Sequence, residues 1–202
     1  MNVMSEEIKN QLMEKFRSLK DEVIVRLYAN KTRESEIVEK LISEISELHP
    51  LIKFEKYKGE NGPIIIITDG KEYGERIKYM GVPVEYEFST FIDDIIRVSR
   101  KSVNLRGSTI KFVKSIKKPM KIEVFVTPSC TYCPHMVKLA HQFAQLNENI
   151  EAIGIDAIMF PNLAEKWNVM SVPFTVINGK EGFVGALGEE KVMNKIMEIL
   201  NK

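Results

Sequence analysis

The chain passes twice through one order of patterns, and this repeat constrains the fold more than any single motif. Leu41, Ile45 and Leu48 fall 98 positions before Leu139, Phe143 and Leu146. "DGKE" at Asp69 to Glu72 answers "NGKE" at Asn178 to Glu181. Pro63 precedes one hairpin pattern as Pro173 precedes another, and Gly81 and Gly185 follow them. In the first copy, helical spacing at Ser5 to Lys20 leads to a β-branched strand at Val23 to Tyr28. A helix through Ile37 to Leu48, stopped by Pro50, comes next. A strand at Ile52 to Tyr57 follows, then a hairpin of Pro63 to Thr68 with Glu75 to Met80, and a helix through Phe88 to Ile96. The second copy has helix Thr109 to Lys117, strand Lys121 to Thr127, helix Pro134 to Leu146 and strand Ile150 to Asp156. It continues with a short helix at Asn162 to Asn168, a hairpin of Phe174 to Asn178 with Gly182 to Gly185, and helix Glu189 to Leu200. A self-similar period this long means two copies of one α/β unit. The polar stretch Ser102 to Ser108 marks the boundary and gives units 1–105 and 106–202.

The copies differ in two places. At the 98-residue offset, Thr32 and Ser35 stand where the second copy has Cys130 and Cys133. The first copy also has only a short connection between the strand at Phe54 and Pro63. The second has room there for the helix around Trp167, so the first has lost a crossover helix together with its thiols.

Cys130 and Cys133 are the only cysteines in the chain, set two residues apart in "VTPSCTYCPHM". The start, MNVMSEEIKNQ, lacks the basic and apolar regions of a signal peptide, and no apolar run approaches a membrane span. The expected compartment is therefore the cytoplasm, where a cysteine pair is catalytic, metal-binding or inert rather than a scaffold. A net charge of +1 supplies no field for nucleic acid or an anionic membrane. Zinc would need four ligands, and only His49, His135 and His141 are at hand. Two buried thiols would need no partner at all.

The context favours a redox pair. Cys130 follows a strand and precedes a helix, whose unpaired N–H groups and dipole favour a thiolate. Cys133, one turn on, is within reach to close a disulfide. Pro134 suits a first helical turn. Pro173, in "SVPFTVING", stands at a strand start or in a cis turn, because interior strands reject proline. Thr32 and Ser35 read as degenerate, and Asp93-Asp94 as a solvated acidic step.

A strand, CTYC at a helix start, Val-Pro before a hairpin and a closing helix together resemble the thioredoxin/glutaredoxin superfamily. "YMGVPVEYEFSTFIDDII" (Tyr79 to Ile96) and "KKPMKIEVFVTPSCTYCP" (Lys117 to Pro134) carry a likeness to archaeal protein disulfide oxidoreductases, which have tandem thioredoxin folds. The chain also resembles the N-terminal domain of the flavoprotein subunit of alkyl hydroperoxide reductase, which pairs a cysteine-free unit with a CxxC unit. The resemblance implies Cys130 as nucleophile and Cys133 as resolving thiol. It implies a cis Pro173 facing the disulfide, with Tyr132 and the Val172 backbone contacting an extended substrate segment. It implies one platform of paired mixed sheets flanked by helices, with no cofactor in the chain itself. The implied activity is dithiol–disulfide exchange with protein disulfides or a peroxiredoxin, with electrons from an NAD(P)H-dependent flavoprotein. The rival reading is a non-catalytic thioredoxin-fold adaptor.

Overall fold

The computed structural model describes residues 3–200. Helix α1 (Glu6–Phe16) starts where the Ser5 hydroxyl accepts from the Ile8 N–H at 3.3 Å, an N-cap bond. It ends earlier than its apolar spacing predicts. The first half continues with β1 (Val23–Ala29), α2 (Arg33–Glu47), β2 (Ile52–Lys58), β3 (Ile64–Thr68), β4 (Ile77–Met80) and α3 (Tyr86–Arg100). The second half holds α4 (Gly107–Ser115), β5 (Met120–Val126), α5 (Cys133–Leu146), β6 (Ile150–Asp156), α6 (Pro161–Lys166), β7 (Phe174–Ile177), β8 (Glu181–Val184) and α7 (Glu189–Leu200).

The eight strands form one sheet in the order β2-β1-β3-β4-β6-β5-β7-β8. Its first four strands and its last four have the same internal order, so the repeat is one of topology as well as of residues. Hydrogen bonds repeat with it. The Gly81 N–H donates to Pro63 O at 3.0 Å, as the Gly185 N–H donates to Pro173 O at 2.8 Å. The Val23 N–H donates to Leu51 O at 2.8 Å, as the Met120 N–H donates to Asn149 O at 2.7 Å. The halves join through parallel pairing of β4 with β6, from Ile77↔Ala152 to Met80↔Ile155. Strands β1, β2, β4, β5 and β6 all run the same way, so their C-terminal ends share one rim of the sheet.

One face of the first half carries Val23, Val25 and Leu27, all buried against the helices. The opposite face shows the effect of the missing crossover helix. In the second half that face is apolar, with Phe125, Ile153, Ile155 and Val176 covered by Phe160, Leu163 and Trp167 around α6. In the first half Arg26, Tyr28 and Lys78 share it with Ile24, Ile64 and Ile66. Arg26 Nε donates to Glu55 at 2.7 Å, the Tyr28 hydroxyl donates to Glu75 at 3.0 Å, and the Tyr28 and Tyr57 rings stack with centroids 5.2 Å apart. A sheet face without a covering layer has to suit water, and this one does.

The seam between the halves corrects the reading of Asp93-Asp94 as solvated. Asp94 is buried, because α3 packs against α5 of the other half. It accepts from the Tyr79 hydroxyl at 2.5 Å and from Arg97, and its Oδ2 lies 2.6 Å from His141 Nδ1. His141 Nε2 lies 3.1 Å from Lys78 O. Burial, with the Arg97 guanidinium nearby, pushes the His141 imidazole down to about 3. Asp93 instead pairs with Lys138 at 2.7 Å. A buried network of this kind orders the elements it joins, and losing one partner is costly.

Candidate functional site

Strand β5 delivers the chain to the rim at Val126. A turn follows, in which the Cys130 N–H donates to Thr127 O at 3.1 Å, and α5 begins at Cys133 with Pro134 in its first turn. Cys130 and Cys133 are joined as a disulfide, their Cα atoms 5.5 Å apart. The Cys133 N–H donates to Cys130 Sγ at 3.2 Å. Once the disulfide opens, that donor and the helix N-terminus favour negative charge on the Cys130 sulfur. Cys133 is fully buried and Cys130 half-buried, so an incoming disulfide reaches Cys130 first.

The Val172–Pro173 peptide is cis. Strand β7 runs antiparallel to β5 with Phe174 opposite Phe125, which sets Pro173 on the rim where β5 ends. Pro173 is buried and Val172 half-buried. Three large apolar side chains stand most exposed in the described residues: Met170 at 84%, Tyr132 at 71% and Ile158 at 69%. Tyr132 lies inside the motif, Met170 three residues before Pro173, and Ile158 just past the end of β6, so all three belong to this rim.

The structure adds an acid that sequence reasoning missed. Glu87, in the first turn of α3, is buried, neither of its carboxylate oxygens has a hydrogen-bond partner, and burial pushes it up to about 7. It lines a small cavity with Val126 and Pro128, the residues that lead into the motif, and with Asp156 at the end of β6. No periodicity marks Glu87, because its burial comes from packing between the halves.

The equivalent place in the first half keeps the architecture without the thiols. The Thr32 hydroxyl oxygen caps α2 by accepting from the Ser35 N–H at 3.3 Å, the bond that Cys130 Sγ makes with Cys133. The Thr32 and Ser35 hydroxyls both donate to Asn30 Oδ1, at 2.7 and 2.8 Å. The histidines are held elsewhere. His135 Nε2 lies 2.9 Å from Leu187 O, His49 Nδ1 accepts from the Leu51 N–H at 3.3 Å, and His141 is in the Asp94 network.

Comparison with known proteins agrees with this geometry. The thioredoxin-domain family matches residues 120–198. A protein disulfide oxidoreductase from Aeropyrum pernix superposes with a TM-score of 0.85 at 29% identity, covering 95% of this chain and 91% of that one. The chain is a tandem thioredoxin-fold protein. This tandem fold also matches the NTD_N/C domain of alkylhydroperoxide reductase AhpF from Enterococcus faecalis, with a TM-score of 0.86 at 24% identity over 95% of this chain and 99% of that one. In sequence it is 24% identical over 195 residues to the AhpF protein of Staphylococcus aureus alkyl hydroperoxide reductase. That match takes in 96% of this chain and only 38% of the relative, so the chain spans little more than a third of that relative's length. Among the described residues, no helix is long and apolar enough to cross a membrane.

Proposed function

We propose that the chain is a dithiol–disulfide oxidoreductase with units 1–105 and 106–202, in which only the second unit reacts. One observation carries this reading: the Cys130–Cys133 disulfide closes at the start of α5, with Cys130 reachable and Cys133 buried behind it. In the reductive direction the Cys130 thiolate attacks one sulfur of a substrate disulfide. The substrate S–S bond breaks, a mixed disulfide forms, and the released thiolate takes up a proton. Cys133 then loses its proton and attacks Cys130 Sγ, which frees the second substrate thiol and returns the closed disulfide. Two electrons pass to the substrate. A flavoprotein that draws on NADH or NADPH restores the dithiol, and protein disulfides, including that of a peroxiredoxin, accept the electrons. Similarity to an alkyl hydroperoxide reductase protein and to a protein disulfide oxidoreductase supports both assignments.

The exposed Tyr132, Met170 and Ile158 favour a polypeptide over a small thiol as substrate, since such an apolar rim gains from being covered. Tyr132 and the Val172 backbone beside Pro173 would contact an extended segment at that rim. Glu87, pushed up to about 7 by burial, lines the small cavity with Val126 and Pro128, which lead into the motif.

The test is reduction of an insulin disulfide by the reduced protein. Cys130→Ser should abolish turnover. Cys133→Ser should stop at a covalent mixed disulfide visible by mass spectrometry. Turnover that survives Cys130→Ser would overturn Cys130 as the nucleophile, and a wild-type protein that reduces no insulin disulfide would overturn the reading in favour of a binding adaptor.

A further inference from the structure

The rim that carries Cys130 continues past it to the place where the first half lacks thiols. Strands β1 and β5 end on this rim with β3, β4 and β6 between them. Four inter-strand steps put Thr32 and Cys130 about 19 Å apart. The turns that follow β4 and β6 leave the sheet between them. Next to the motif lies the small cavity of Glu87, Pro128 and Met80. Beyond Met80, which lines both spaces, the rim widens into a cleft of about 900 Å³.

The cleft has two unlike walls. One is the first half's thiol-free site, with Asn30, Thr32 and Gly62. The other is the turn after β6, where Ile158 and Phe160 present apolar surface. Charge in the cleft has one sign. Glu34 and Glu60 line it, no lysine or arginine does, and neither carboxylate is in an ion pair among the described residues. Asn30 Oδ1 already receives the Thr32 and Ser35 hydroxyls, so that wall has no unmet reactive group. The cleft is built to hold a ligand and has nothing with which to transform one.

We propose that this cleft is a second docking subsite for the disulfide-bearing polypeptide, continuous with the Cys130 site. An extended arm of the substrate runs from the attacked cysteine along the rim, past Met80, and sets an apolar side chain against Ile158 and Phe160. A lysine or arginine of that arm lies between Glu34 and Glu60. At ~3.3 Å per extended residue, the basic residue falls about six positions from the cysteine. The inference rests on the redox reading for the identity of the substrate. The first half, having lost its thiols and its crossover helix, thereby serves recognition.

The experiment has two arms. For binding, the Cys130→Ser/Cys133→Ser protein is titrated into fluorescein-labelled twelve-residue peptides that carry a serine in place of the cysteine. One peptide has leucine and lysine five and six positions away, a second has glutamate for that lysine, and a third lacks the distal half. The lysine peptide should bind most tightly, and Glu34→Gln/Glu60→Gln should weaken it by about fivefold, as expected for losing two partly exposed charge contacts. Ile158→Ser should weaken it as well. For turnover, the same peptides with cysteine as a thionitrobenzoate mixed disulfide are reduced by the dithiol protein, with free dithiobis(nitrobenzoate) as control. The lysine peptide should react faster than the truncated one, and Glu34→Gln/Glu60→Gln should remove that advantage while the control rate holds. Equal binding of the long and truncated peptides, or indifference to both substitutions, would overturn the cleft as a subsite. Failure to reduce the control reagent would overturn the redox reading alone, because the binding arm uses protein without thiols.

Discussion

Replacing Glu87 with glutamine should change how stability depends on pH, and the size follows from where the carboxyl sits. Its ordinary value is 4.5, and burial in the folded protein pushes it up to about 7. The folded state therefore holds the proton more tightly than the unfolded chain. The contribution is fully present below the unfolded value of 4.5 and is lost as pH rises through the folded value. A difference of about 2.5 units at ~1.36 kcal/mol each puts the loss near 3 kcal/mol once both states are ionised. Glutamine has a similar shape and no titration. Its own burial cost is the same at every pH, so only the carboxylate makes the difference between the two proteins vary. Urea unfolding of wild type and Glu87→Gln, from about pH 4.5 to about pH 8, should show the variant gaining roughly 3 kcal/mol on wild type across that range. Most of the gain should come between about pH 5 and pH 7. A difference that stays flat with pH would mean that Glu87 titrates alike in both states, and the argument from its burial would fail.

Three further outcomes are expected. Asp94→Ala should destabilise the protein by about 3–5 kcal/mol in urea unfolding, because it leaves the Arg97 guanidinium buried without its carboxylate; a loss under about 1 kcal/mol would count against the seam as a buried network. Gly81→Ala should cost more than Gly185→Ala: both sit at positive φ, +126° and +103°, but a Cβ at Gly81 would meet Asp156 Cβ at 2.7 Å while one at Gly185 meets nothing within 4 Å. The gap measured by thermal unfolding should be about 1–3 kcal/mol, the usual scale of overpacking. Residues 106–202 expressed alone should self-associate on size exclusion, because removing β4 bares the β6 edge from Ala152 to Ile155; a well-behaved monomer would show that the seam is dispensable.

The sequence by itself determined the elements and their order, because those depend on neighbours in the chain. Apolar spacing of 2 or 3.6 marks Val23 to Tyr28 and Ile37 to Leu48 whatever packs on them, and β1 and α2 form there. The repeat made one unit a guide to the other, and the CTYC motif at a strand–helix junction pointed to thiol chemistry. The residue pattern alone left the Val172–Pro173 peptide open to either isomer, the family resemblance implied cis, and the fold has it cis. What only the tertiary structure decided lies where the halves meet. Asp94 and Glu87 are two acids on one amphipathic helix, and nothing local separates them from solvated neighbours such as Asp93. They are buried because α3 of the first half packs against the second. One then collects Tyr79, Arg97 and a close His141, while the other has no partner and a raised pKa. The cleft from Thr32 to Ile158 has the same origin, since those two residues lie more than a hundred positions apart in the chain and come together through the parallel pairing of β4 with β6. Periodicity reports which face of an element is apolar, and only the packing of one unit on the other decides what that face meets.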